Sequence, residues 1–173
     1  EWQKFCEKIS ELGKYLEDEG MPLAYHHHMG TVIETQKDTE RLIENTHESV
    51  KLTLDTGHML FAKGDSKSIL QNYHERILHV HCKDIRKQVL EKSLKEDLSF
   101  RGAFLEGAFT VPGDGCIDYQ PLFNVLKNNN YSGWLVVEAE QDPAKANPLE
   151  YAKIGYKYLT DTLKKSEIEI YKN

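Results

Sequence analysis

Trp2, Phe5, Ile9, Leu12 and Leu16 fall three and four positions apart, while Lys4, Lys8, Glu11 and Lys14 fill the gaps. This spacing predicts an amphipathic helix, and Gly20 ends it. Met21-Pro22 then opens an extended run, Leu23-Ala24-Tyr25, which delivers His26, His27 and His28 before Gly30 turns the chain. A polar helix is predicted from about Thr35 to Thr46. Val50, Leu52 and Leu54 form a second strand that ends at Asp55-Thr56-Gly57-His58. Asp65-Ser66 has the chemistry of a helix cap for a run through Ile69, Leu70 and Tyr73, and Ile77 to His81 is the third strand. Gln88 to Leu98 is a charged helical stretch, followed by Phe100 to Phe104 and the turn Pro112-Gly113-Asp114-Gly115. Tyr119 to Lys127 is again helical, Asn128 to Asn130 breaks it, and Trp134 to Val137 is an apolar strand ending at Glu138. Asn147-Pro148 opens a last helix with Leu149, Ala152, Ile154, Tyr158 and Leu159 on its apolar side, and the charged tail after Leu163 is expected to fray.

Short strands alternating with helices predict an α/β fold with a parallel sheet flanked by helices. The strand ends at His28, Asp55, His81 and Glu138 lie 27, 26 and 57 residues apart. The first two gaps are one βα unit each, and the third is lengthened by residues 85–116, expected to be a loop insertion on the active face. A complete barrel takes about 250 residues. Four βα units therefore predict the C-terminal half of a (β/α)8 TIM barrel, with residues 1–173 as a single partial domain and the N-terminal half absent.

Composition narrows the partners. The 22 basic and 28 acidic residues leave a net charge of -6, which repels a phosphate backbone and argues against nucleic acid. No apolar stretch is long enough to span a bilayer. Cys6, Cys82 and Cys116 are odd in number and lack CxxC spacing, so neither a disulfide framework nor a zinc ribbon is expected and a reducing, cytoplasmic setting fits. The opening Glu1-Trp2-Gln3-Lys4 has none of the regions of a secretory signal and reads as the interior of a longer chain.

In parallel α/β folds the chemistry gathers at the carboxyl ends of the strands. Asp55, His81 and Glu138 each end a strand and are together a hard-to-borderline ligand set for a divalent metal. Singly, each has a plain structural explanation: a turn cap, a core histidine, a partner for a lysine. Three at equivalent positions favour the metal. Of the histidine run, only His26 and His28 share a face of the strand, and one of them is a candidate ligand. His58 is placed either to ligate or to meet a substrate hydroxyl, against the alternative of a surface position. His79, one pleat deeper than His81, suits a packing or supporting role. Lys83 at the exit of the third strand can stabilise a developing enolate oxygen, or else pair with Asp84 in solvent. Pro112 to Gly115 can offer backbone amides to a hydroxyl, though a plain turn explains it equally. Trp134 and Tyr131 are expected in the core and rim.

The runs Tyr25 to Thr31, Asp55 to His58, His79 to Asp84, Phe109 to Asp118 and Gly133 to Pro143 resemble the inosose dehydratases of bacterial myo-inositol catabolism, within the xylose-isomerase-like barrel superfamily. The DTxH and HxxD signals specify only that superfamily, whereas YHHHMGT, FTVPGDGCID and WLVVEAEQDPAKANP single out the dehydratases. The resemblance implies a hydro-lyase that converts 2-keto-myo-inositol (scyllo-inosose) to a trihydroxycyclohexane-dione, with Mn²⁺ or Co²⁺ as cofactor. It implies Asp55, His81 and Glu138 as ligands. Where the superfamily's first glutamate stands this chain has His26, with His28 the alternative. Proton transfer would fall to His58 and one of His26 to His28, His28 being the candidate, since an unperturbed imidazole titrates near a pKa of about 6.5, with Glu138 a further candidate base and Lys83 stabilising the enolate oxygen. A sugar isomerase or epimerase using the same enolate, or an inactive binding fragment, are the competing expectations, and a half barrel alone is expected to self-associate.

Overall fold

The computed structural model describes residues 1–171 and divides into two compact units, Glu1–Val80 and His81 onward. In the first unit, helix α1 (Trp2–Asp18) precedes strand β1 (Leu23–His26), helix α2 (Gln36–Asn45), strand β2 (Val50–Asp55) and helices α3 (Thr56–Phe61) and α4 (Ser66–Tyr73). A 3-10 turn, His74–Arg76, leads into strand β3 (Ile77–Cys82), whose first four residues close this unit.

β1 and β2 are parallel, with Leu23 opposite Val50 and His26 opposite Thr53, and β3 lies on the other side of β2. Val50, Leu52 and Leu54 on one face and Thr53 and Asp55 on the other are buried, as expected for a central parallel strand covered on both faces. α1 ends as predicted: Gly20 takes a φ of +75°, and the Met21 amide closes back on the Leu16 carbonyl. Its packing line differs from the predicted stripe. Leu12 is 47% exposed, while Cys6 and Gly13 are buried. A Cβ on Gly13 would sit 2.9 Å from the Ser49 hydroxyl and 3.0 Å from Val50, so the missing side chain is what lets the helix approach the start of β2. α2 begins with a capping box in which Thr35 and Asp38 satisfy each other's backbone amides. Arg76 donates to the carbonyls of Ile43, His47 and Val50 and to the Thr46 hydroxyl, fastening the end of α2 to the start of β2.

The second unit starts with the last two residues of β3 and contains strand β4 (Asp84–Ile85), helices α5 (Lys87–Lys95) and α6 (Phe100–Leu105), strand β5 (Phe109–Thr110), helix α7 (Gln120–Asn128), strand β6 (Trp134–Val137) and helix α8 (Pro148–Lys165). β6 runs beside the end of β3, where the Glu138 amide meets the Cys82 carbonyl at 3.3 Å. Residues 85–116 carry regular structure, two short helices and the antiparallel pair of β4 and β5. Tyr119, Phe109, Phe123, Ile85 and Val111 are buried. α8 is capped by the Asn147 carboxamide, which accepts from the Leu149 and Glu150 amides. As in α1, a glycine marks its line of approach: Gly155 is buried against Val137 and Val111, whereas Leu149 and Ile154 of the predicted apolar side are exposed. The helix continues past Leu163 to Lys165, and residues 172–173 of the charged tail lie outside the described residues. Trp134, expected in the core or rim, is 66% exposed at the first position of β6.

Candidate functional site

The ends of β1 and β2 bring the first group of polar side chains together. β1 stops at His26, β2 stops at Asp55, and α3 starts at the next residue, with Asp55 as its cap. The cap uses Asp55 Oδ1, which accepts the His58 amide at 2.8 Å. Asp55 Oδ2 lies 3.5 Å from His26 Nε2. One donor atom each from His26, Asp55 and His58 falls within 4.8 Å of the others. Asp55 and His58 are fully buried, so His58, for which a surface position was the alternative, belongs to the interior. The ring of His28 packs on that of His58 with centroids 3.7 Å apart, and His28 Nδ1 is 2.7 Å from the Met29 carbonyl.

His27 points away from this group, as strand alternation predicts. It is buried, and its Nε2 accepts the Asp55 amide at 3.1 Å. Burial pushes its pKa down to about 3, against a smaller upward pull from Asp55. A neutral His27 that accepts at Nε2 carries its proton on Nδ1. Its work is to tie the end of β1 to the end of β2.

A second group is built on the end of β3 and the exit of β6. His81 Nδ1 and Glu138 Oε2 are 2.7 Å apart. Lys83, whose side chain is fully buried, places Nζ 2.5 Å from Glu140 Oε2 and 3.4 Å from Glu138 Oε1. The expected alternative for Lys83, a solvated pair with Asp84, does not occur. Asp84 is itself buried, and its Oδ1 accepts the amides of Ile85, Cys116 and Ile117. Burial pushes the Asp84 carboxyl up while those amides pull it down. The Pro112 to Gly115 turn is thereby held to β4, and a Cβ on Gly115 would collide with Asp84 Oδ1. Arg86 reinforces the turn from the other side, donating to Asp114 Oδ2 at 2.7 Å and to the Gly107 carbonyl.

Glu140 was named only as part of a family-like run, yet it is the closest anion to the Lys83 ammonium. Its φ of +33° is unusual for a residue with a side chain and costs about 1–3 kcal/mol, which the ion pair helps to offset. Period-two spacing from Glu138 was the sequence signal for it. Asp84 stood in the HxxD signal without a role, and Arg86 had no signal, because their partners are a turn 28 to 33 residues away. His47 is engaged locally with Ser49.

Buried carboxylate and imidazoles in one unit, and a buried ammonium between carboxylates in the other, are the chemistry of an α/β protein that works at the ends of its strands. The chain belongs to the xylose isomerase-like TIM barrel family, whose pattern matches residues 1–162. The inosose dehydratase of Clostridium beijerinckii is 51% identical to it over 162 residues, covering 93% of this chain and 54% of that protein. The chain thus spans about half the length of the curated relatives it matches. Solved structures agree on the fold. The probable 3-DHS dehydratase AsbF of petrobactin synthesis from Bacillus anthracis superposes with a TM-score of 0.69 at 19% identity, covering 92% of this chain and 57% of that one. The IolI protein, solved with a bound zinc atom, gives 0.67 at 21%, covering 91% and 54%. No helix among the described residues is long and apolar enough to cross a membrane.

Proposed function

We propose that this chain is the C-terminal half of a (β/α)8 barrel hydro-lyase that dehydrates 2-keto-myo-inositol in inositol catabolism, in the cytoplasm, with Mn²⁺ or Co²⁺. The observation that carries the reading is the gathering of the resemblance's ligand types at strand ends: His26 with Asp55 in the first unit, His81 with Glu138 in the second. The 51% identity to an inosose dehydratase and the zinc held by IolI support it. The proposed ligands are His26, Asp55, His81 and Glu138. Two imidazoles and two carboxylates fit a borderline divalent ion, and Asp55 supplies a buried negative charge for it. When bound, the metal supplies Lewis acidity that polarises the substrate ketone.

The reaction removes a proton from the carbon next to the ketone. The electron pair passes through an enolate and expels the hydroxyl of the adjacent carbon, which leaves with a proton as water. His58, His28 and Glu138 are the proposed proton carriers. Lys83 stabilises negative charge: its ammonium is held out of bulk water between Glu138 and Glu140, where a fixed cation acts strongly on a developing oxyanion. Strands β1 and β6 are half-buried rather than buried, which supports the expectation that the chain by itself is inactive and associates with a second copy.

The test is complementation with the N-terminal half of the C. beijerinckii enzyme. The pair should form the dione from scyllo-inosose, EDTA should abolish turnover, and Mn²⁺ or Co²⁺ should restore it. An epimerised sugar without dione would refute the dehydratase reading, and full activity after metal stripping would refute the metal. Sedimentation of the chain alone should show dimers or larger species; a monomer that melts cooperatively would refute the association.

A further inference from the structure

The reaction proposed above gives no part to Thr110, a fully buried hydroxyl inside the family-like run Phe109 to Asp118. We propose that Thr110 is a positioning residue for that reaction, its hydroxyl holding Glu140 in place beside the Lys83 ammonium. The effect on turnover rests on the charge-stabilising role of Lys83 given above, whereas the placement of the pair does not.

Lys83 is fixed to β5 at both of its ends. The antiparallel ladder sets Thr110 opposite Asp84, the residue after Lys83, and Phe109 opposite Ile85. The Arg86 amide donates to the Ala108 carbonyl at 2.9 Å, and the Arg86 guanidinium donates to the carbonyls of Gly107 and Phe109, which extends the hold past the paired residues. The Tyr119 hydroxyl donates to the Lys83 carbonyl at 3.0 Å, and the Lys83 ammonium lies 5.6 Å from the centre of the Phe109 ring.

Glu140 lies outside the sheet. β6 ends at Val137, and Glu140 follows three residues later at a φ of +33°, a conformation that persists only where its surroundings impose it. The next residue supplies a tie: Gln141 Nε2 donates to Thr110 Oγ1 at 3.3 Å. Thr110 in turn donates to Asp114 Oδ2 at 2.6 Å, an oxygen that also accepts from Arg86 Nη2 at 2.7 Å. A hydroxyl accepts and donates at once, and donating to a carboxylate makes its oxygen the better acceptor. Thr110 thereby joins the two segments that carry the ion pair, through its backbone beside Lys83 and its side chain beside Glu140. With Glu140 held, it is the nearer anion, 2.5 Å from Lys83 Nζ against 3.4 Å for Glu138. A released Glu140 would let the ammonium close on Glu138, the carboxylate that the proposed reaction uses for the metal and the proton.

The experiment labels lysine Nζ with ¹⁵N and glutamate carboxyls with ¹³C, and reads which carboxyl carbon shares a hydrogen-bond coupling with the Lys83 ammonium in the full chain. Coupling to Glu140 is expected in the unsubstituted chain and in Thr110→Ser, which keeps the hydroxyl. It should pass to Glu138 or vanish in Thr110→Val. Gln141→Met should do the same, cutting the tie from a half-buried position, so that a fold lost at Thr110 does not end the test. In the chain complemented by the N-terminal half, Thr110→Val and Gln141→Met should lower kcat between about 10- and 100-fold with KM little changed, the scale of a misplacement near 1 Å, and Thr110→Ser should rescue it. Coupling to Glu140 that survives in both Thr110→Val and Gln141→Met, or that is lost in Thr110→Ser, would overturn the proposal. A fall in stability alone, with coupling and kcat unchanged, would overturn it too. If the unsubstituted pair forms no dione, the dehydratase reading falls, while the coupling still decides whether Thr110 places Glu140.

Discussion

The two units handle charge in opposite ways. The first gathers imidazoles around one buried carboxylate, and one of its buried histidines, His27, is kept neutral by burial. The second buries a lysine and meets it with two glutamates, then uses another buried carboxylate, Asp84, to hold a turn by its backbone amides. Neutral donors are inexpensive to bury and available to a cation. Buried full charges are costly unless paired, so the second unit's geometry is tightly coupled to its ion pairs. The first unit therefore gathers imidazoles at its strand ends, and the second holds charge in fixed positions.

The sharpest way to break that contrast is Lys83→Met. It would leave Glu138 and Glu140 facing each other without the ammonium, and removing one partner of a buried pair costs about 3–5 kcal/mol. Glu138 and Glu140 are partly exposed, so the lower end is expected, read as a fall in the urea midpoint. The added Glu140→Gln should recover part of it. A loss below about 1 kcal/mol would mean that the pair behaves as a surface salt bridge.

Asp84→Ala should cost somewhat less, about 2–3 kcal/mol, because it strands the buried Ile85 amide and the part-buried amides of Cys116 and Ile117. The effect should be local. Hydrogen exchange should accelerate at Cys116 and Ile117 while the His58 amide, capped by Asp55, keeps its protection. Equal acceleration at His58 would show that the units do not separate energetically.

The smallest expected effect concerns acid. The folded pKa of His27 lies at about 3, below the ordinary value of 6.5, so the unfolded chain binds the extra proton between those limits. Stability contributed by neutral His27 is complete above pH 6.5 and is lost as pH falls toward 3. Urea midpoints measured from pH 7 to pH 4 should fall less steeply in His27→Gln than in the native chain. Parallel slopes would remove His27 as the acid-sensitive element.

Much of the architecture was legible in the chain. The strand and helix order was read from periodicity, and Asp65 and Asn147 announced their helix starts by cap chemistry that is local by nature. The candidate residues at strand ends were legible too, since period-two alternation sends His26 and His28 to one face and His27 to the other. The packing lines of α1 and α8 were misread in part, for one reason. Hydrophobic spacing selected Leu12, Leu149 and Ile154, which are exposed, while the helices approach their strands at Gly13 and Gly155. A glycine contributes nothing to a hydrophobic pattern, and its value appears only when another backbone comes close.

What the sequence determined by itself is the order of elements, the faces of the strands and the residue types offered at their ends, all set by interactions within a few positions. Only the tertiary structure decided the pairings: Lys83 with Glu140 across 57 residues rather than with its neighbour Asp84, Asp84 with the amides of a turn more than 30 residues away, and His27 with the Asp55 backbone. Each of these is a choice among several chemically equivalent partners, and burial makes it, because a charge or a lone pair taken out of water binds whichever partner the packing of the surrounding strands brings within reach.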